Sequence, residues 1–266
     1  MRQGPRAVII AVFNPKGGVG KTTTAVNVAT AMAESGRQVL LVDLEADMNA
    51  SISLGIRPTD VHPSIADVLL HEHNPTEAVR PVKGVPNLHL ITGSPTLAGI
   101  DFALRHVRQP ERRLADVIKP LAPSFDTVLL DCPAGFSLMA SSVPIAADQL
   151  IVPIRAEYLS LESLASFLRW YRDRRTSRQA AASLGGILLT MVEYKRKATR
   201  EIVDIIRAHN RHGVFKTEIP QDPRAAEAPS HGLPLVSYKR SAAASAYHDL
   251  TRELLKRLQR RRTRAR

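Results

Sequence analysis

One stretch near the start limits what this chain can fold into: Ala7-Val-Ile-Ile-Ala-Val-Phe-Asn-Pro-Lys-Gly-Gly-Val-Gly-Lys-Thr-Thr-Thr24. Ala7 to Phe13 predicts a buried strand. A glycine-rich turn follows, and Thr22 to Glu34 carries Ala25, Val28, Ala29 and Met32 at helical spacing. Strand, glycine turn and helix in that order form a cradle for a phosphate chain. Backbone N–H groups can surround phosphate only where no Cβ blocks the approach, which accounts for Gly17, Gly18 and Gly20. The helix presents further unpaired N–H groups and a partial positive charge to the same anion. In such a loop Lys21 reaches the β- and γ-phosphates and the Thr22 hydroxyl binds Mg²⁺. Gly20-Lys21-Thr22 completes the second half of G-x-x-x-x-G-K-[ST]. The first glycine position holds Pro15, and a second lysine, Lys16, stands five residues before Lys21.

Two further apolar runs end in carboxylates. Val39-Leu-Leu-Val-Asp43 and Thr127-Val-Leu-Leu-Asp131 read as buried parallel strands. Ligands of such sheets bind at the carboxyl ends of the strands, which places Asp43, Glu45 and Asp131 beside the phosphate loop. A carboxylate at the Asp131 position can hold Mg²⁺ through its water shell. Thr22, Asp43 and Asp131 are thus the candidate metal residues. Further strands are expected at Asn87–Thr92, Ala147–Ile154, Gly185–Met191 and Val214–Pro220, with helices between them and a last amphipathic helix over Ala242–Leu258. Alternating strands and helices on short connections predict an α/β fold with one doubly wound, mostly parallel sheet. His71 and His73 lack the companions a zinc site needs. Cys132 reads as a packed thiol.

The Lys16-Gly-Gly-Val-Gly-Lys-Thr-Thr23 string resembles the deviant Walker A box of the ParA/MinD ATPases, in which Lys16 corresponds to the extra signature lysine. Over roughly residues 7 to 250 the chain is similar to ParA/Soj-type partition proteins. The resemblance implies an ATPase using ATP and Mg²⁺, with nucleotide bound by Lys16, Gly17, Gly18, Val19, Gly20, Lys21, Thr22 and Thr23. It implies a homodimer that sandwiches two ATP molecules, with Lys16 crossing to the partner's phosphates. The family's Asp-x-Asp-Pro-Gln-Gly-Asn string is here Asp43-Leu-Glu-Ala-Asp-Met-Asn49, so Glu45 takes the position that orients the attacking water, with Asp43 as a helper and Asp47 as a weaker candidate. The extra methylene moves the carboxylate by about 1.5 Å, and a misplacement of about 1 Å can cost about 10²-fold in rate. Either the loop readjusts, or hydrolysis is unusually slow and the protein is an ATP-dependent dimer switch. Pro220-Gln221-Asp222 opens a string that resembles the family's adenine-side segment. The resemblance also implies a ParB-like or other adaptor that stimulates hydrolysis. A nitrogenase-iron-protein-like role needs cluster cysteines, and the chain has one cysteine.

Charge bears on the partner. The chain has 37 Lys and Arg against 25 acidic residues, a net charge of +12. Eight basic residues and one acidic residue lie between Leu250 and Arg266. A localised basic excess points to a polyanion. Other basic clusters are Arg169, Arg172, Arg174, Arg175 and Arg178, and the loop Lys195, Arg196, Lys197 and Arg200. Family members bind non-specific DNA as dimers, and the Lys195–Arg200 loop matches part of that surface. The MinD-like alternative, a membrane-binding C-terminal helix, fits leucines on one face and arginines on the other, but the tail lacks Trp and Phe anchors. The expected organisation is one ParA-like domain over residues 1–258 and a basic tail over 259–266. Met1–Arg6 runs directly into the first strand, so no signal peptide is expected; the protein is expected to be cytoplasmic and nucleoid-associated.

Overall fold

The computed structural model describes residues 7–176, 182–210 and 213–265. Met1–Arg6, Arg178 and Arg266 lie outside the described residues. Seven strands form one sheet: β1 (Val8–Val12), β2 (Val39–Asp43), β3 (Arg80–Pro81), β4 (Leu88–Ile91), β5 (Thr127–Asp131), β6 (Gln149–Arg155) and β7 (Ser183–Thr190). Their order is β3-β4-β2-β5-β1-β6-β7. All neighbours are parallel except the short β3, which runs antiparallel to β4.

Both faces of the sheet are covered, which explains why its strands read as unbroken apolar runs rather than alternating ones. Ile9, Ala11, Val42 and Val128 enter one core, packed beneath the helices Arg113–Leu121, Leu138–Ala146 and Leu159–Thr176. Ile10, Val12, Leu41 and Leu129 enter the other, under the helix Lys21–Glu34 and the C-terminal helix Ala242–Ala265. Successive side chains of a strand point to opposite faces, so neighbouring residues feed the two cores in turn.

The register does the positioning. Val12 and Asp43 both pair with Asp131, from opposite sides of β5. The end of β1, which launches the glycine loop, and the two carboxylates therefore arrive at one point on the carboxyl edge.

The expectation of a strand over Val214–Pro220 is corrected. That segment makes only two isolated bridges, Ile187 with Val214 and Val192 with Pro220. The Phe215 and Ile219 N–H groups donate to the Ile187 and Leu189 carbonyls of β7 at 2.8 and 2.9 Å, but between them the Lys216 and Thr217 N–H groups donate to the Glu253 carboxylate at 3.0 and 2.9 Å. A carboxylate on the C-terminal helix thus interrupts the ladder along β7 at Thr217.

The C-terminal helix runs past Leu258 through the basic segment to Ala265. Leu250, Leu254 and Leu258 are buried in the second core. Arg257 reaches the Val214 carbonyl at 2.7 Å and the Gly185 carbonyl at 3.3 Å, with its guanidinium 4.2 Å above the Phe215 ring. Arg261 donates to the Leu184 carbonyl at 2.8 Å. Two of the arginines in the basic segment are therefore docked on the β7 edge.

Candidate functional site

The glycine loop is held from three sides. Asn14, buried just beyond β1, donates to the Pro153 carbonyl at 2.7 Å and accepts from the Lys16 N–H at 2.9 Å. The Pro15 carbonyl accepts from Gly135 N–H at 2.8 Å, tying the loop to the segment after β5. The Val19 carbonyl accepts from the Thr190 hydroxyl at 2.9 Å. Gly18 and Gly20 sit at φ +70° and +85°, the left-handed region that glycine enters without penalty. Among the described residues, no N–H from Gly17 to Thr23 donates a hydrogen bond to a protein acceptor. A row of free donors at a helix N-terminus is an anion site by construction. Lys21 is buried at the start of the helix, with its Nζ folded back 3.3 Å from the Lys16 carbonyl.

Behind the loop stand the carboxylates. Asp131 is fully buried, and neither of its oxygens has a hydrogen-bond partner. Burial pushes its carboxyl well above the ordinary aspartate range, and neighbouring Asp43 pushes the same way. Lys21 and the Thr22 hydroxyl favour the ionised form, Thr22 lying close without completing a well-formed hydrogen bond. A buried, unpaired carboxylate is strongly unfavourable unless a cation joins it. The donor set of Asp131, Asp43 and the Thr22 hydroxyl is all oxygen, as Mg²⁺ requires. These residues fit that ion.

Asp43 is equally buried but, unlike Asp131, hydrogen-bonded. It accepts from the Ser51 hydroxyl at 2.7 Å, from the Ser51 N–H at 2.9 Å and from the Glu45 N–H at 3.2 Å. Burial is the main cause raising its carboxyl, and these bonds oppose it. Glu45 is half-buried; burial raises it, while Lys21 and the Ala134 N–H pull it down. Glu45 therefore spans from the β2 loop to the β5 loop. Asp47 is exposed.

Lys16 does not point into the loop. Its Nζ lies 2.7 Å from Glu157 Oε1 and 3.4 Å from the Ser160 hydroxyl of the same chain. Arg155 also reaches Glu157 at 3.4 Å. The Lys16 and Glu157 side chains are 28% and 40% exposed, so this pair is worth at most about 1 kcal/mol and separates easily.

Pro220, Gln221 and Asp222 line a cavity of about 250 Å³ that opens beside Gly20 and Thr23 and is closed by Thr190 and Tyr247. Asp222 forms its wall, but the carboxylate faces structural donors. It accepts from the Arg224 N–H at 3.0 Å, and from the Ser241 hydroxyl and Ala243 N–H at the start of the C-terminal helix. Lys195, Arg196, Lys197 and Arg200 are exposed around the N-terminus of the helix Lys197–His209. Arg196 pairs with Glu193 at 2.6 Å and Lys197 with Glu201 at 3.7 Å. Cys132 is buried, and burial pushes its thiol well up, as befits a packed residue.

Sequence reasoning did not single out Asn14, Ser51 or Glu157. Asn14 and Glu157 carried no separate signal, because a loop asparagine and a surface glutamate are common. Ser51, two residues after the matched Asn49, was the one that an attentive reading of that string could have found.

The AAA domain family matches residues 7–181. The sporulation initiation inhibitor protein Soj of Bacillus subtilis is 34% identical over 247 residues, covering 92% of this chain and 97% of Soj. The chain belongs to the ParA/Soj family of partition ATPases. A second relative, the chromosome-partitioning ATPase Soj of Thermus thermophilus, is 36% identical, covering 94% of this chain and 96% of its own length. Among solved structures, the Mycobacterium smegmatis cobyrinic acid a,c-diamide synthase with bound ADP and magnesium superposes with a TM-score of 0.82 at 28% identity, covering 95% of this chain and 96% of that one. The cell division ATPase MinD of Pyrococcus furiosus gives 0.77 at 28% identity, covering 94% and 99%. The ParA/Soj assignment agrees with the doubly wound sheet.

Proposed function

We propose that this partition ATPase dimerises around Mg²⁺-ATP, grips non-specific DNA in that state, and positions or segregates a large cargo. The observation that carries the reading is the facing pair of complements: a run of free N–H donors from Gly17 to Thr23, and a buried Asp131 carboxylate with no partner. One asks for an anion and the other for a cation. The bound ADP, ATP analogue and magnesium of the Mycobacterium smegmatis structures support the same pairing.

Thr22, Asp43 and Asp131 would hold Mg²⁺, which when bound neutralises phosphate oxygens and so favours transfer. The loop N–H groups bind the phosphates, and Lys21 leaves the Lys16 carbonyl to meet them. Lys16 separates from Glu157 and crosses to the second copy. Exposed Phe136, Tyr158 and Leu159, on the segments that follow Asp131 and Glu157, supply apolar surface for that copy to cover. Glu45, oriented between the two loops, holds the attacking water and accepts its proton. Its raised pKa strengthens it as a base, with Asp43 supporting its backbone. Hydrolysis is slow until a ParB-like or other adaptor fixes this geometry, because phosphoryl transfer is mostly positioning and charge stabilisation.

DNA would meet Lys195, Arg196, Lys197 and Arg200, and the protein would work in the cytoplasm on the nucleoid. The membrane-cycling alternative loses its main support, since Leu250, Leu254 and Leu258 are packed in the core. Glu45 in the place of the family's aspartate keeps one second reading open, a dimer switch with little turnover. DNA retention with ATP and with ADP tests the proposal. ATP-dependent retention that weakens with salt supports it, at a log–log slope of about 0.9 per phosphate neutralised. Equal retention with ADP contradicts it.

A further inference from the structure

We propose that Ser51 is a positioning residue for hydrolysis, holding the Asp43 carboxylate in one orientation with Gly93 as its backing. The inference rests on the reading that Asp43 and Asp131 belong to the ATP site.

The two aspartates are register partners at the carboxyl edge, both fully buried, yet treated differently by the protein. Asp131 has no hydrogen-bond partner. Asp43 Oδ2 takes both the hydroxyl and the N–H of Ser51, at 2.7 and 2.9 Å. Asp43 Oδ1 takes the longer Glu45 N–H bond at 3.2 Å and keeps acceptor capacity. Two donors on one oxygen fix the carboxylate plane, so the other oxygen keeps a defined direction.

Ser51 is itself fixed. It is fully buried in the short helix Asn49–Ser53, and its hydroxyl oxygen accepts from the Gly93 N–H at 3.2 Å. The hydroxyl thus has its donor and acceptor roles both assigned, which leaves it one rotamer. Gly93 follows β4, the neighbour of β2, and has no room for a side chain. A Cβ there would lie 2.6 Å from the Glu45 carbonyl and 3.1 Å from Asp43 Cγ. The missing methyl is what lets the β4 end close over Asp43. The chain Gly93–Ser51–Asp43–Glu45 is therefore one continuous support, and it ends on the backbone of the residue assigned to the water.

Groups that orient metal and catalytic ligands are typically worth 10- to 100-fold in metal affinity or activity. The test uses the full chain with Ser51→Ala and Ser51→Thr. Single-turnover ATP hydrolysis in the presence of DNA should fall about 10- to 100-fold in Ser51→Ala, with the Mg²⁺ requirement raised. Affinity for a fluorescent ATP analogue without Mg²⁺ should stay within about twofold. Ser51→Thr, which keeps the hydroxyl, should recover most of the rate. Hydrogen exchange of the Glu45 amide in the nucleotide-free protein supplies an arm independent of ATP, and it should quicken in Ser51→Ala and be restored in Ser51→Thr. Unchanged exchange, or an unchanged rate and Mg²⁺ requirement, overturns the inference, as does a loss that threonine fails to rescue. Lys21→Ala run alongside separates the two ideas: nucleotide binding that survives it defeats the ATP-site reading, while the amide arm still judges the Ser51 contact.

Discussion

Replacing Asp131 by asparagine should stabilise the nucleotide-free protein while removing its response to Mg²⁺-ATP. The wild-type carboxyl is buried without a hydrogen-bond partner and is held well above its ordinary range by that burial and by Asp43. The sign follows from linkage. A folded chain that binds a proton more tightly than the unfolded chain is favoured below the unfolded aspartate value of about 3.9, and loses that advantage as pH rises through the folded value. The burden on the wild type is therefore largest in mild alkali and absent in acid. Leaving a charged group buried and unsatisfied costs more than the 1–3 kcal/mol of a neutral one, and asparagine retains part of that neutral penalty. A net gain of about 1–3 kcal/mol at pH 8 is expected for Asp131→Asn, shrinking toward zero near pH 4. At roughly 2–4 °C per kcal/mol for a chain of this size, the melting temperature should rise by about 2–12 °C. Mg²⁺-ATP at about 1,000 times its Kd should reverse the order, because it adds about 4.1 kcal/mol to the wild type and little to the variant. Thermal unfolding by circular dichroism at the two pH values, with and without Mg²⁺-ATP, reads all four quantities. A variant less stable than wild type at pH 8 without nucleotide would refute the idea of an uncompensated carboxylate.

Other expected outcomes follow from single contacts. Lys21→Ala should abolish nucleotide binding in a filter or fluorescence assay, whereas Lys16→Ala should bind nearly normally and fail to dimerise. Glu157→Gln, which frees Lys16 from a half-exposed ion pair, should ease ATP-driven dimerisation by no more than about fivefold, read by sedimentation. Arg257→Ala removes bonds to the Val214 and Gly185 carbonyls and the stack on Phe215, and should destabilise the fold by about 2–3 kcal/mol in urea unfolding. Charge reversal of Lys195 and Arg200 together should weaken DNA binding and reduce its salt slope by about 2.

Much of this was legible from residues alone because it rests on local rules. The runs Val39–Asp43 and Thr127–Asp131 match β2 and β5 to the residue, since a strand covered on both faces reads as an apolar block with a polar stop. The glycine loop was legible because glycine is the residue that enters the left-handed region of Gly18 and Gly20 without penalty. What stayed hidden depends on contacts distant in the chain. Val214–Pro220 has strand-like composition, yet Glu253 takes its donors from a helix more than thirty residues away. Within the helix expected over Ala242–Leu258 and the basic segment after it, periodicity gives no hint that Arg257 and Arg261 dock on β7. The Lys16–Glu157 pair joins residues 141 apart, and no spacing rule links them. Ser51 and Gly93 likewise meet only because β4 lies beside β2.

The most direct test is the mass of the purified protein by sedimentation or light scattering at saturating nucleotide and Mg²⁺. The account predicts a particle of about twice the 29.2 kDa chain with ATP, and a single chain with ADP or after Lys16→Ala. A particle that stays at one chain mass in excess Mg²⁺-ATP contradicts it.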